Sequence, residues 1–181
     1  ATCVACHGGH DIHAKSDPTS PLARQRVDEK CGKCDVVPFE EYRRSIHFLK
    51  SNGVEHKGAT CADCHQPHGI KTTGKSFISD SVASCTRCHD ERGVSFRLTY
   101  HGKVTSLGYD GRVATCNTCH SNHAILPASD SRSSINPANV VSTCGQCHTD
   151  SNQGFAGYLV HADPRRSDRN HGLNLVWLCM M

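Results

Sequence analysis

The chain has 181 residues, of which 36% are apolar and 6% aromatic, too little side-chain material for an ordinary interior at this length. Lys and Arg exceed Asp and Glu by only three, which gives no reason to expect a nucleic-acid partner. Thirteen cysteines and 14 histidines stand far above normal usage, and 12 of the cysteines form Cys-x-x-Cys pairs, leaving Cys179 alone.

In chain order the pairs read CVACHGGH (3–10), CGKCD (31–35), CADCHQPH (61–68), CTRCH (85–89), CNTCHSNH (116–123) and CGQCH (144–148). Disulfides, zinc sites and c-type haem attachment all use such pairs. Only haem needs a histidine directly after the second cysteine, and with 14 histidines in 181 residues five such placements are not chance. Within one helical turn the two thiols and the imidazole fall on one face, the thiols placed for the porphyrin vinyls and the imidazole for the iron. Zinc would need the pairs to converge in fours and would ignore the adjacent histidines.

Five haems c are therefore expected, attached at Cys3 and Cys6, Cys61 and Cys64, Cys85 and Cys88, Cys116 and Cys119, and Cys144 and Cys147. Their proximal ligands are His7, His65, His89, His120 and His148. The macrocycles would supply the missing interior, and their propionates would move the net charge from +3 to roughly −2 oxidised and −7 reduced. The expected fold class is mostly irregular chain with short α-helices, cored by haem and built from three repeats of two motifs each.

Two kinds of motif alternate. His10, His68 and His123 follow the first kind, while the second kind is followed by a tyrosine and then a histidine: Tyr42 and His47, Tyr100 and His101, Tyr158 and His161. The repeats run over about 1–58, 59–113 and 114–165, with a tail at 166–181. The connecting stretches 10–31 and 123–144 have equal length and share Ser-Asp and a later Ser. Ala-Thr precedes Cys61 and Cys116, and Ala-Thr-Cys also opens the chain; either a leader ends there or, as we expect, the chain continues a longer protein.

Each full repeat then holds two haem motifs and four histidines, the number that two six-coordinate irons require. His10, His68 and His123 lie on the proximal side of their own haem, so they should ligate a neighbouring one. His47, His101 and His161 should supply the other distal ligands. His13, His56 and His171 fall outside the scheme and read as ordinary surface residues. Pro38 to Ser51 reads as one amphipathic helix carrying His47, with Phe39, Tyr42, Ile46 and Leu49 on one face and Gly53 beyond its end.

Asp35 occupies a proximal-ligand slot, and three readings stand open. A sixth haem is held by Cys31 and Cys34 with its proximal ligand supplied from elsewhere, His13 being a spare; or attachment fails; or the open iron is catalytic. The sixth haem is the expectation, since the CGKC context matches CGQC at 144–147 and His47 is still present downstream.

The motif CxxCH five times and CxxCHxxH three times make residues 1–165 resemble the multihaem c-type cytochromes, particularly the cytochrome c3-like and NapC/NrfH-like families and the cytochromes of extracellular filaments. The resemblance implies a chain of stacked haems passing single electrons, an electron carrier rather than an enzyme. Redox proteins or a membrane quinol-oxidising subunit are the expected partners, with copies of the chain in a filament as an alternative. A reductase working at Cys31 and Cys34 is the enzymatic alternative. The location expected is periplasmic or at the cell surface, where c-type haems are attached. The ending LNLVWLCMM (173–181) is apolar at eight of nine positions, too short to span a bilayer. It reads as a segment tucked against a haem or a partner, or as the start of a membrane helix.

Overall fold

Each Cys-x-x-Cys pentapeptide of four closes as a single helical turn, because the N–H of its fifth residue donates to the carbonyl of its first: His65 to Cys61 (2.9 Å), His89 to Cys85 (3.0 Å), His148 to Cys144 (2.9 Å) and Asp35 to Cys31 (3.1 Å). The other two pentapeptides are helices in full, α1 (Cys3–His7) and α9 (Cys116–His120). This computed structural model describes residues 2–52, 57–69, 75–109, 111–158, 160–166, 168 and 170–181. Among them the remaining helices are α2 (Val27–Gly32), α3 (Val36–Tyr42), α4 (Ile46–Ser51), α5 (Cys61–Cys64), α6 (Lys75–Thr86), α7 (Asp90–Leu98), α8 (Tyr100–Ser106), α10 (Val140–Gly145), α11 (Gln153–Ala156) and α12 (His171–Met180). No strand occurs among the described residues. Short helices joined by irregular chain are what the sequence leads one to expect.

The chain divides into two units, Ala1–Ile70 with His120–Asn139, and Lys71–Cys119 with Val140–Met181. In the first unit, the stretches after His10 and after His123 follow the same path for a reason visible in their shared residues. Asp17 accepts the N–H of Thr19 (2.8 Å) and Asp130 that of Arg132 (2.9 Å), each turning the chain. Three residues on, the buried Ser20 and Ser133 hydroxyls donate back to the carbonyls of His13 (3.4 Å) and Leu126 (3.1 Å).

The single helix expected over Pro38 to Ser51 is two. α3 ends at Tyr42, and Ser45 then caps α4, its hydroxyl accepting the Phe48 N–H at 3.1 Å. A serine offering that cap competes with continuation of the helix, and here the cap wins. Pro38 is the third residue of α3, still in the first turn, where its missing N–H costs nothing. Gly53, expected beyond the helix end, and His56 lie outside the described residues.

Among the described residues buried apolar side chains are few: Ala23, Val27 and Tyr42 in the first unit and Phe96 in the second. Buried polar residues outnumber them, among them Ser20, Asp28, Ser45, Thr60, Ser95 and Thr99. An interior of this kind loses little water-exposed hydrocarbon on folding and leaves most of the stabilisation to something else.

The tail forms α12, capped by Asn170, whose side chain accepts the Leu173 N–H (2.9 Å). Asn174 anchors it by donating to the Pro164 carbonyl (2.9 Å), while Leu175, Val176, Leu178 and Met180 stay exposed. No helix among the described residues is long and apolar enough to cross a membrane.

Candidate haem sites

The cysteines and the histidines that follow them lie on or just beyond short helices. Cys3, Cys6 and His7 lie on α1; Cys61 and Cys64 on α5, with His65 at its end; Cys85 lies in the last turn of α6, with Cys88 and His89 following; Cys116, Cys119 and His120 lie on α9; Cys144 lies on α10, with Cys147 and His148 following. None of the thirteen cysteines is in a disulfide. Among the described residues no group of three or more His, Cys, Asp or Glu side chains gathers to hold a metal ion, as a zinc site would require.

What the histidines do is face each other in twos. His7 stands against His68 with ring centroids 5.9 Å apart, His65 against His123 at 6.2 Å, and His101 against His148 at 6.1 Å. The rings of the first two pairs are near parallel, at 24° and 30°, and those of the third are tilted by 52°. A metal bound by two opposed imidazoles at about 2.0 Å from each nitrogen separates the ring centroids by roughly 6.3 Å. The centroid spacing of the pairs is close to that of two imidazoles on one iron, so in spacing these residues would fit a haem c. A hollow of about 300 Å³ lined by Cys147, His148 and Phe155, among others, lies at the last motif.

Protonation suits the same role. Burial holds the His65 and His101 imidazoles below their ordinary value, with His123 and His148 respectively adding to it, so both are neutral near pH 7 and able to coordinate. Two other histidines have their tautomer fixed from behind. Glu41 Oε2 stands 3.3 Å from His123 Nδ1, and since a carboxylate only accepts, Nδ1 carries the proton and Nε2 the lone pair. Ser95 spends its single proton on the Arg92 carbonyl (3.0 Å), so it accepts from His161 Nδ1 at 3.0 Å, with the same result. An N–H backed in this way is the usual outer shell of a metal-bound histidine. Neither Glu41 nor Ser95 is marked in the sequence by any motif; only the folded chain brings them there.

The cysteines of successive motifs also meet. The sulfurs of Cys31 and Cys61 are within hydrogen-bonding reach, and so are those of Cys85 and Cys116. Burial raises the Cys119 thiol above its ordinary value, with Cys144 and Cys147 close enough to add to it. Around the first of these contacts lies a clamp that the sequence did not announce. Asp28, buried on α2, accepts the Cys61 N–H at 2.7 Å, and the Tyr42 hydroxyl shares its proton between Asp28 (2.9 Å) and the Ala59 carbonyl (2.8 Å). Burial, with the Asp28 charge beside it, keeps the phenol protonated. Arg24 completes the tie by pairing with Asp63 on α5 (3.0 Å) and donating to the Gly58 carbonyl (2.8 Å).

Asp35 has nearly the same backbone conformation as His89. It precedes α3 with φ −91° and ψ 59°, as His89 precedes α7 with φ −109° and ψ 52°, and neither side chain caps its helix. An aspartate at a helix start normally turns inward to cap it. His47 lies on α4 and His161 in the loop beyond α11. His10, His13 and His171 are exposed, and His13 Nδ1 is bonded to Asp17 at 2.8 Å.

Paired cysteines on single turns, with opposed imidazoles and little other interior, define a c-type cytochrome with several haems. Residues 54–153, more than half of the chain, match the model of the cytochrome c3 family, and the chain belongs to that family of multihaem c-type cytochromes. Haem c as the cofactor and electron transfer as the general function are those of the family. The chain is 32% identical over 103 residues to the multiheme cytochrome MtrA of Shewanella baltica, covering 56% of this chain and 28% of that one. It is 27% identical over 150 residues to a putative tetraheme cytochrome of Allochromatium vinosum, covering 77% and 76% respectively. With the cytochrome c-type protein TorY of Escherichia coli O157:H7 it shares 29% over 141 residues, 71% of this chain and 36% of the relative. The chain thus spans only about a third of the length of two of these three relatives. No solved structure matches it.

Proposed function

We propose that the chain is an electron conduit, a row of c-type haems with two imidazoles on each iron, working in respiratory or extracellular electron transport. The observation that carries this reading is the set of opposed pairs, His7 with His68, His65 with His123 and His148 with His101, each joining a proximal histidine to one from another motif. His89 and His120 are the proximal ligands of the other complete motifs, and His10, His47 and His161 are the remaining distal candidates. Bound haem supplies reversible one-electron chemistry. The polypeptide supplies ligands, burial and spacing, and an iron filled on both faces has no position for a substrate.

A sixth haem at Cys31 and Cys34 belongs to the same reading. Its support is that CGKCD closes the same turn as the complete motifs, and that Cys31 meets Cys61 as Cys85 meets Cys116. Three repeats of two motifs describe the chain in these terms. Attachment of haem c places it in the periplasm or at the cell surface. Redox proteins, a quinol-oxidising membrane subunit or further copies of the chain are its partners, with the exposed side of α12 available for docking.

The test is an intact mass with the visible and electron paramagnetic resonance spectra of the purified protein. Six haem additions and low-spin signals throughout are expected, with the Cys31→Ala, Cys34→Ala double variant one addition lighter. High-spin haem as the main species would overturn the conduit, and five additions would remove the sixth haem. A second reading, a reductase with an open iron at Cys31 and Cys34, is favoured by one observation, the uncapped side chain of Asp35. Carbon monoxide or nitrite binding to the reduced protein, lost in Asp35→His, would promote it.

A further inference from the structure

Two of the histidines differ in what stands behind their Nδ1 atoms. His161 is backed by a neutral hydroxyl, the buried Ser95, at 3.0 Å. His123 is backed by a carboxylate, Glu41, which comes from α3, 82 positions earlier in the chain. That meeting is held by a second and independent tie: the N–H of Ile46, the first residue of α4, donates to the carbonyl of Ile125 at 2.9 Å. The segment carrying His123 is thereby fixed along the α3–α4 corner, and Glu41 is presented to the imidazole by backbone geometry rather than by a flexible surface encounter. The facing ring, His65, lies in the field of a second carboxylate, Asp35. Glu40, by contrast, turns to Arg43 at 3.2 Å.

We propose that Glu41 is a positioning residue that acts through His123 to hold the iron between His65 and His123 towards its oxidised state. A carboxylate accepting the Nδ1 proton makes the imidazole a stronger donor, and a stronger donor favours the more highly charged iron. The haem attached to Cys61 and Cys64 is then harder to reduce than it would be with a hydroxyl in that place, such as the one Ser95 offers His161. The inference rests on the pairing of His65 with His123 put forward above. Glu41 is half-exposed, so solvent screens it and the effect is moderate.

The experiment is a spectroelectrochemical titration of the full holoprotein, comparing Glu41→Gln, Glu41→Asp and Glu40→Gln. Gln keeps the shape and loses the charge, and is expected to shift the reduction equilibrium of one haem about threefold towards the reduced form, roughly 28 mV for one electron. Asp should restore part of the shift, and Glu40→Gln should leave every potential in place. A His123→Met variant identifies the haem, because the component that moves in Glu41→Gln must be the one whose low-spin spectrum changes in His123→Met. Unmoved potentials in Glu41→Gln, or an equal shift from Glu40→Gln, overturn the role of Glu41 and leave the histidine pair standing. A His123→Met protein with every spectrum unchanged overturns the pair itself.

Discussion

The segment from α2 to α4 in the first unit and that from α6 to α8 in the second have the same backbone and different fillings. Counting from the first cysteine, Asp35 answers to His89, Tyr42 to Phe96, Ser45 to Thr99 and His47 to His101. The carbonyls of Asp35 and His89 accept from Phe39 (3.0 Å) and Gly93 (2.9 Å), and the N–H groups of Ser45 and Thr99 donate to Tyr42 (2.8 Å) and Phe96 (2.9 Å). Ser45 and Thr99 then cap the following helix in the same way. Where the first helix crosses the second, however, Gly32 meets the ring of Phe39, while Thr86 meets Gly93. Bulk has changed sides. Tyr42, at 7% exposure, brings a hydroxyl that needs Asp28, whereas Phe96, at 5%, needs nothing. The lesson is that the turn and the caps hold this corner, while its contacts can be exchanged in complementary sets.

The sharpest break in the likeness is Asp28→Ala, which strands the Cys61 N–H and leaves the buried Tyr42 hydroxyl with the Ala59 carbonyl alone. A loss of about 3 kcal/mol is expected in thermal unfolding. Tyr42→Phe, which copies the second unit, should cost only about 1 kcal/mol, since it removes a donor along with its partner's task.

Gly32→Thr alone overpacks against Phe39 and should cost about 2 kcal/mol. The double variant with Phe39→Gly rebuilds the arrangement of Thr86 and Gly93 and should regain about half of that loss, the remainder being the price of a glycine within α3. Equal melting temperatures for the single and double variants would show that the two positions are not exchanged as a set.

The smallest effect concerns the twin turns. Asp17 is held down to about 2 by the Thr19 hydroxyl and N–H and by His13, and Asp130 to about 2 by the Arg132 side chain and N–H. Because each folded value lies below the unfolded one near 4, the stabilisation is complete above about pH 4 and is lost as pH falls through about 2. Carboxyl carbon resonances should titrate near 2 for both residues, and Thr19→Ala should return Asp17 alone towards 4. A titration of Asp17 near 4 in the unaltered protein would refute the turn as drawn.

Some local structure was legible in the chain: the Cys-x-x-Cys pentapeptides close single turns, and the shared Ser-Asp of the connecting stretches makes the same turn twice. The tyrosines misled. Tyr100 and Tyr158 line up with Tyr42 by identity, yet they are 79% and 66% exposed, and the ring that occupies the place of Tyr42 in the second unit is Phe96. Residue identity is a poor guide there, because the corner selects a buried ring and is indifferent to its hydroxyl. The continuous helix was misjudged on similar grounds, its apolar spacing being right and its capping serine overlooked.

Sequence by itself determined that this is a haem-bearing chain, since thioether attachment and iron ligation demand particular residues at fixed spacing within one turn. It also set the turns and caps, which are local hydrogen bonds between residues two to four positions apart. Only the tertiary structure decided which imidazole faces which, that Glu41 stands behind His123, and that Asp28 and Tyr42 secure Cys61. Those contacts join residues tens of positions apart, and no local rule of spacing records where a chain with so thin an interior returns upon itself.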